Sequence, residues 1–179
     1  RPEFTDLGLG GSINQTRYPK AGQENPQVRI GIIDLEAEEL RTVWADFNPS
    51  DDQYFGTPFW SDDSKGFYVS RMPRLQNTLD LYRVDSEDGS KEQIYHETYP
   101  TWIDWMDNVV FTSEGLYMVR NFETDWQQIY FLSYDGKTFR RLTEGTNWSV
   151  SVLRVDAGDV YFTAKRDATI RQALYKVDR

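Results

Sequence analysis

One phrase recurs along this chain with a period near fifty residues, and it limits the fold more than any other feature. The phrase is an apolar alternating run, an Asp, a polar turn and a second apolar run. It reads "RIGIIDLEAEELRTVW" around Asp34, "LDLYRVDSEDGSKEQIY" around Asp85 and "QIYFLSYDGKTFRRLT" around Asp135. "ALYKVDR" opens a fourth copy at Asp178, so the spacings are 51, 50 and 43 residues. The flanks alternate with period two, as half-buried strands do. Asp88-Gly89 and Asp135-Gly136 supply residues that tolerate positive φ in tight turns. Each phrase therefore reads as a β-hairpin. "DLEAEEL" has helix-forming residues, but it lies between two β runs in the hairpin register and reads as a turn.

A second phrase precedes each hairpin: "FWSDDSKGFYVSRM" at 59–72, "VVFTSEGLYMVRN" at 109–121 and "VLRVDAGDVYFTAKR" at 152–166. Each is an apolar run, an acidic or Ser turn with Gly, and an aromatic strand. One period thus holds roughly four strands, the signature of a β-propeller blade. A β-sandwich also has short strands at regular intervals, but two phrases recurring in phase point to repetition. The expected fold is all-β: a partial β-propeller of about three and a half four-stranded antiparallel blades. Residues 1–27 are expected to be a lead-in loop, and residues 28–179 the propeller, with blade segments 28–48, 54–98, 101–145 and 148–179. Three and a half blades do not close a propeller of the usual size, and the chain opens "RPEF" without Met. A piece of a longer protein is expected, with uncovered strand edges that pair between copies.

Aromatic residues make up 15% of the chain, which favours pleated, half-buried surfaces. The formal net charge of −9 argues against nucleic acid as a partner, because an acidic surface repels phosphate. No apolar run approaches the ~20 residues a membrane helix needs.

The chemistry-bearing residues are few. Cysteine is absent, which removes thiolate nucleophiles and thiolate-bound zinc. The one histidine, His96, ends a strand and lacks the positioned Ser and Asp of a triad; one His and no Cys also leave zinc without ligands. "GGSIN" at 10–14 lacks the second Gly and the helix of a nucleophile elbow and reads as a flexible loop. "GLGGS" lacks phosphate-loop spacing. The acidic groups Asp51-Asp52, Asp62-Asp63 and 85–89 lack calcium-loop spacing and read as solvated turns. Glu38-Glu39 falls at a hairpin tip. No catalytic residue, metal site or cofactor is implied. Trp60, Trp102, Trp126 and Trp148 recur near strand heads, where packing between blades is expected. Trp102 and Trp105 in "YPTWIDWMDN" lie between blades, where a cavity is the alternative.

Three stretches resemble one family. "YPKAGQENPQVRIGIIDL" resembles the YPKAG-x-x-NP-x-V segment of the dipeptidyl peptidase IV family of serine peptidases. "RMPRLQNTLDLYRVDSEDG" resembles that family's R-x-x-R-x-QN-x-L-x-L strand and turn. "ETDWQQIYFLSYDGKTFRRLTEGTNWSV" resembles its phrase ending LT-x-G-x-W-x-V. The likeness runs in order from about Tyr18 to Val177. It implies a periplasmic, secreted or membrane-anchored exopeptidase that removes N-terminal dipeptides with Pro or Ala second. It further implies a homodimeric parent whose propeller gates and orients the peptide, with the catalytic Ser, Asp and His in a separate hydrolase domain not contained here. A Glu pair that anchors the substrate ammonium precedes YPKAG in the family, and Glu38-Glu39 do not match it. The family's pocket-lining loop corresponds to "WIDWMDN", which offers Trp105 and Met106 as lining residues but no Arg. A second reading is a non-catalytic binding module of the TolB or WD-repeat kind, since "WSDDSKGFYV" resembles a hairpin shared by such propellers.

Overall fold

The computed structural model describes residues 3–6, 10, 12–15, 19–61 and 63–179. Arg17, Tyr18 of the YPKAG motif and Asp62 lie outside the described residues. The described residues hold sixteen strands and no helix. All strand pairs are antiparallel and none crosses from one sheet to another. Within the expected lead-in loop, β1 (Glu3–Asp6) and β2 (Ser12–Gln15) pair antiparallel, so Ser12, Ile13 and Asn14 of "GGSIN" are in a strand. The pair β3 (Gly31–Ile33) and β4 (Thr42–Trp44) follows, with Asp34 to Leu40 as an irregular connection.

The third sheet contains β5 (Gln53–Phe55), β6 (Phe59–Trp60), β7 (Gly66–Pro73), β8 (Thr78–Asp85) and β9 (Lys91–Thr98). It has five strands but four positions. Phe55 faces Arg71 and Phe59 faces Tyr68, so β5 and β6 are one line along β7 with one extra residue. Pro58 sits in this bulge, where a missing N–H costs no ladder bond. The fourth sheet is the meander β10 (Val109–Phe111), β11 (Gly115–Arg120), β12 (Gln128–Ser133) and β13 (Phe139–Arg141). The fifth is β14 (Trp148–Val155), β15 (Asp159–Lys165) and β16 (Ala173–Asp178).

Period-two alternation sorts each strand's residues between two cores. From β7 and β8, Phe67, Val69 and Val84 pack toward Ile30, Ile32, Ala45 and Phe47. Their neighbours Tyr68, Met72, Leu79 and Leu81 pack the other way, against Leu116, Met118, Tyr130 and Leu132. From the fourth sheet, Tyr117 and Ile129 face Val150, Val152, Val160 and Phe162 of the fifth. The third and fourth sheets therefore each bury one face on the preceding sheet and one on the following sheet. The middle strands are buried on both faces, which explains runs such as Gly66 to Ser70 with no exposed residue.

The Asp-Gly turns do more than reverse the chain. Gly89 has φ +75° and Gly136 has φ +69°. Each tip also lies on the outer strand of the preceding sheet. A Cβ on Gly89 would overlap the Trp44 carbonyl oxygen, and one on Gly136 would lie 2.8 Å from the Ile94 oxygen. The Asp46 amide donates to the Gly89 carbonyl at 2.9 Å, joining the two sheets.

The large tryptophans depart from expectation. Trp60, Trp102, Trp126 and Trp148 are 44–56% exposed rather than packed between sheets. The inter-sheet positions are taken by Tyr68, Tyr117, Tyr130 and Phe162, while these Trp residues stand at strand ends or in loops. Trp60 still meets Phe67 edge-on at 5.7 Å.

Candidate functional site

Two motifs tie the connections at one end of the stack. In "KAGQ", the Gln23 amide donates to the Lys20 carbonyl at 3.0 Å, and Gly22 has φ +83°. That is a type II turn, which demands a residue like Gly at its third position. Asn25 then donates to Asp52 at 2.8 Å and to the Tyr54 hydroxyl at 2.6 Å. In "RMPR", Arg71 pairs with Asp51 at 2.7 Å and also donates to Gln53, while Arg74 lies 3.5 Å from Asp52. Asp51 and Asp52 are thus ion-pair partners rather than freely solvated turn residues.

The same end carries the loop 101–108 between β9 and β10. It crosses three sheets and is fastened at each. At its start, the Ile103 amide donates to the Gln76 carbonyl at 2.8 Å, and Trp102 Nε1 donates to Gln76 Oε1 at 3.1 Å. Gln76 holds φ +52°, a strained value for a non-glycine residue. In the middle, Arg120 Nη1 donates to the carbonyls of Asp104 at 3.1 Å and Trp105 at 3.5 Å. At its end, Asn108 donates to Ser151 Oγ at 2.8 Å and accepts the Val152 amide at 3.2 Å.

Arg120 is itself fixed. Its Nε and Nη2 donate to Glu97 Oε2 and Oε1 at 2.7 and 3.0 Å, and both side chains are 2% exposed. The Tyr95 hydroxyl donates to the same Oε2 at 2.7 Å. Burial first, and Glu97 second, push the Tyr95 hydroxyl up in pKa, so it stays protonated and donates. Removing one member of such a pair strands a buried charge, at a cost of about 3–5 kcal/mol.

The loop borders a cleft of about 220 Å³ shared with the ends of β11, β12 and β14. Trp105 lines it, while its ring packs against the third sheet: a Cβ on Gly56 would lie 3.0 Å from Trp105 Cε3. Asp104 and Asp107 also line it, and neither carboxylate has an ion-pair partner among the described residues. Met106 does not line this cleft. It is 4% exposed and packs in the core between the third and fourth sheets. The loop itself holds no Arg, and Arg120 of β11 beside it is engaged by Glu97 and turns Nη1 to the loop backbone.

Elsewhere the candidates are inert. His96 Nδ1 lies 2.6 Å from Asp80 Oδ1, its partner across the β8–β9 ladder, and no hydroxyl bonds it among the described residues. Glu39 pairs with Arg41 at 2.6 Å on the surface. A larger concavity of about 830 Å³ lies over β3–β4, lined by Ile33, Leu35, Val43 and Trp60. Its lining also includes Asp34, Glu39, Arg41 and Glu87, and it lies between this hairpin and the turns at Ser64 and Ser86 of the third sheet.

Antiparallel sheets stacked face to face in chain order, with connections strapped across one end, define a segment of a β-propeller. The chain belongs to the dipeptidyl peptidase IV family: the model of the dipeptidyl peptidase IV N-terminal region matches residues 5–179. A probable dipeptidyl peptidase 4 of Emericella nidulans is 27% identical over 179 residues, 90% of this chain and 23% of that protein. The crystal structure of Porphyromonas gingivalis dipeptidyl peptidase 4 superposes with a TM-score of 0.81 at 24% identity, over 99% of this chain and 26% of that one. TolB from Acinetobacter baumannii gives a TM-score of 0.55 at 17% identity over 84% of this chain and 35% of its own. That likeness is one of fold, whereas the family match decides against a TolB-type module. The chain spans about a quarter of the dipeptidyl peptidases it matches.

Proposed function

We propose that this chain is the part of a serine-type dipeptidyl peptidase propeller that gates and orients the peptide substrate, and that it has no catalytic step of its own. The observation that carries this reading is the family match across residues 5–179. The cleft under loop 101–108 supports it locally, because a substrate-facing surface must be held rigidly to orient a chain end. Trp105 supplies an apolar wall there, and Asp104 and Asp107 supply unpaired negative charge suited to a peptide's cationic end. Met106 supports the loop from below rather than touching peptide. In the intact protein the substrates are peptides with Pro or Ala second, the hydrolase triad lies outside these residues, and the enzyme works as a homodimer outside the cytoplasm. Among the described residues no helix is long and apolar enough to cross a membrane.

The test assays the 179-residue chain and the intact protein on a Gly-Pro chromogenic substrate. Turnover is expected from the intact protein alone. Turnover by the isolated chain, or a folded but inactive intact protein, would overturn the reading.

A further inference from the structure

We infer that Glu97 and Arg120 are positioning residues: the pair sets where loop 101–108 places Trp105 against the cleft. The inference rests on the reading of that cleft as substrate-facing. The alternative role for a buried ion pair here is adhesion between the third and fourth sheets. That interface already buries Tyr68, Met72, Leu79, Leu116, Met118 and Tyr130 in one apolar core. Charges add little to such a contact, since their desolvation offsets most of their attraction.

The geometry of Arg120 points elsewhere. Two of its nitrogens engage Glu97 as a fork, and this fixes the plane of the guanidinium. The third, Nη1, is then aimed at the Asp104 and Trp105 carbonyls. Gln76 holds the loop only at Trp102 and Ile103, and Asn108 only at its far end. Between them, Arg120 is the sole side chain that hydrogen-bonds the loop backbone among the described residues. Trp105 is pinned from its other side by Gly56, whose missing Cβ makes room for the ring. The backbone bond and the glycine seat together fix one ring orientation. Glu97 acts at one remove, by orienting Arg120 and balancing its charge.

The test uses the Glu97→Leu, Arg120→Met double variant of the intact protein, labelled with fluorotryptophan. Replacing both charges together avoids an unpaired ion, so the fold is retained. The Trp105 fluorine resonance is assigned by its loss in Trp105→Phe. In the double variant this resonance is expected to broaden or move toward the solvent-exposed position. KM for the chromogenic dipeptide substrate should rise about threefold or more with kcat little changed, the pattern of lost binding that is made equally in the ground and transition states. An unmoved Trp105 resonance would overturn the inference, whatever the kinetics. A displaced resonance with unchanged KM would uphold the positioning role and overturn the substrate-facing reading of the cleft. If the double variant does not fold, Arg120→Lys takes its place with the same readouts. Its ammonium keeps the charge beside Glu97 but cannot span the carboxylate and two carbonyls.

Discussion

Alanine substitutions at three glycines separate backbone strain from close approach between sheets. Gly145, Gly136 and Gly89 have φ of +92°, +69° and +75°. An alanine in the left-handed region costs roughly 1–2 kcal/mol. Gly145 isolates that cost, because the nearest atom to its added Cβ is the flexible Arg166 Nη2 at 3.4 Å. Its φ is also the furthest of the three from the ordinary left-handed value, so it bounds the strain of the others from above. Gly136→Ala adds a clash with the Ile94 oxygen at 2.8 Å. Gly89→Ala adds a worse one, overlapping the Trp44 oxygen with the carbonyl carbon 2.9 Å away. Backbone cannot swing aside as a side chain does, and forced overpacking costs about 1–3 kcal/mol more.

The expected losses are about 1–2 kcal/mol for Gly145→Ala, about 2–4 for Gly136→Ala and about 3–5 for Gly89→Ala. Urea denaturation reads these as falls in the midpoint at constant slope. Asparagine sharpens the comparison, since it tolerates positive φ but still carries a Cβ. Gly145→Asn should recover much of the loss and Gly89→Asn little. Equal losses at all three positions would refute the close-approach account and leave turn conformation as the only role of the Asp-Gly pairs.

Gln128 is fully buried, accepts from Thr143 Oγ1 and Asn147 Nδ2 at 2.8 Å each, and donates to the Gly145 carbonyl at 2.7 Å. Gln128→Ala strands these groups and should cost about 3 kcal/mol in urea denaturation; a loss below about 1 kcal/mol would mean that water replaces the amide. Burial first, and Glu123 second, push the Tyr130 hydroxyl up to about 12. Its folded value lies above the unfolded value near 10, so the contribution is complete below about pH 10 and is lost as pH rises toward 12. Tyr130→Phe should flatten that alkaline loss, and tyrosinate absorbance showing Tyr130 ionising near its ordinary value in the folded chain would contradict it. Ile33, Leu35 and Trp44 are exposed on the β3–β4 hairpin and its connection, and Leu153 and Leu174 on the fifth sheet. The 179-residue chain should therefore self-associate with rising concentration in sedimentation velocity, and a single monomer species throughout would count against this.

The repeat was legible because turn chemistry is local. Asp-Gly tips and period-two runs report on residues a few positions apart, and the structure places hairpins on them. The second duty of Gly89 and Gly136 was not legible, because the atoms that exclude a side chain belong to Trp44 and Ile94, some forty residues earlier. The exposure of Trp60, Trp102, Trp126 and Trp148 was hidden for a related reason. Size alone suggests burial, but burial is decided by which face of a stacked sheet a residue meets. Trp105 was legible as a residue between blades. Met106 beside it was not separable, since adjacent loop residues carry no periodic signal for direction. Arg120 was not legible as a neighbour of the loop, because nothing in the local sequence ties it there. It stands at the end of the apolar strand "GLYMVR", and only the three-dimensional stacking brings it to Glu97, 23 residues away.

The two ends of the stack therefore carry different physics. At one end, tips such as those at Gly89 and Gly136 touch the neighbouring sheet through backbone, and bareness is what that contact requires. At the other, the connections are longer and are fixed by side chains: Asn25 on Asp52 and Tyr54, Arg71 on Asp51, Gln76 on Trp102, and Glu97 with Arg120 on the loop 101–108. Side-chain ties occur at the first end too, Lys91 with Asp46 and Arg179 with Tyr117 and Glu114, but they join residues at or beside strand ends rather than fastening long loops. Long loops cost entropy to order and gain it back only through specific contacts. An end of the fold where long loops are individually fastened is one where their placement matters. The "KAGQENP" turn and clamp, the "RMPRLQN" pairs and the Arg120 anchor all fall there, on the same end as the cleft.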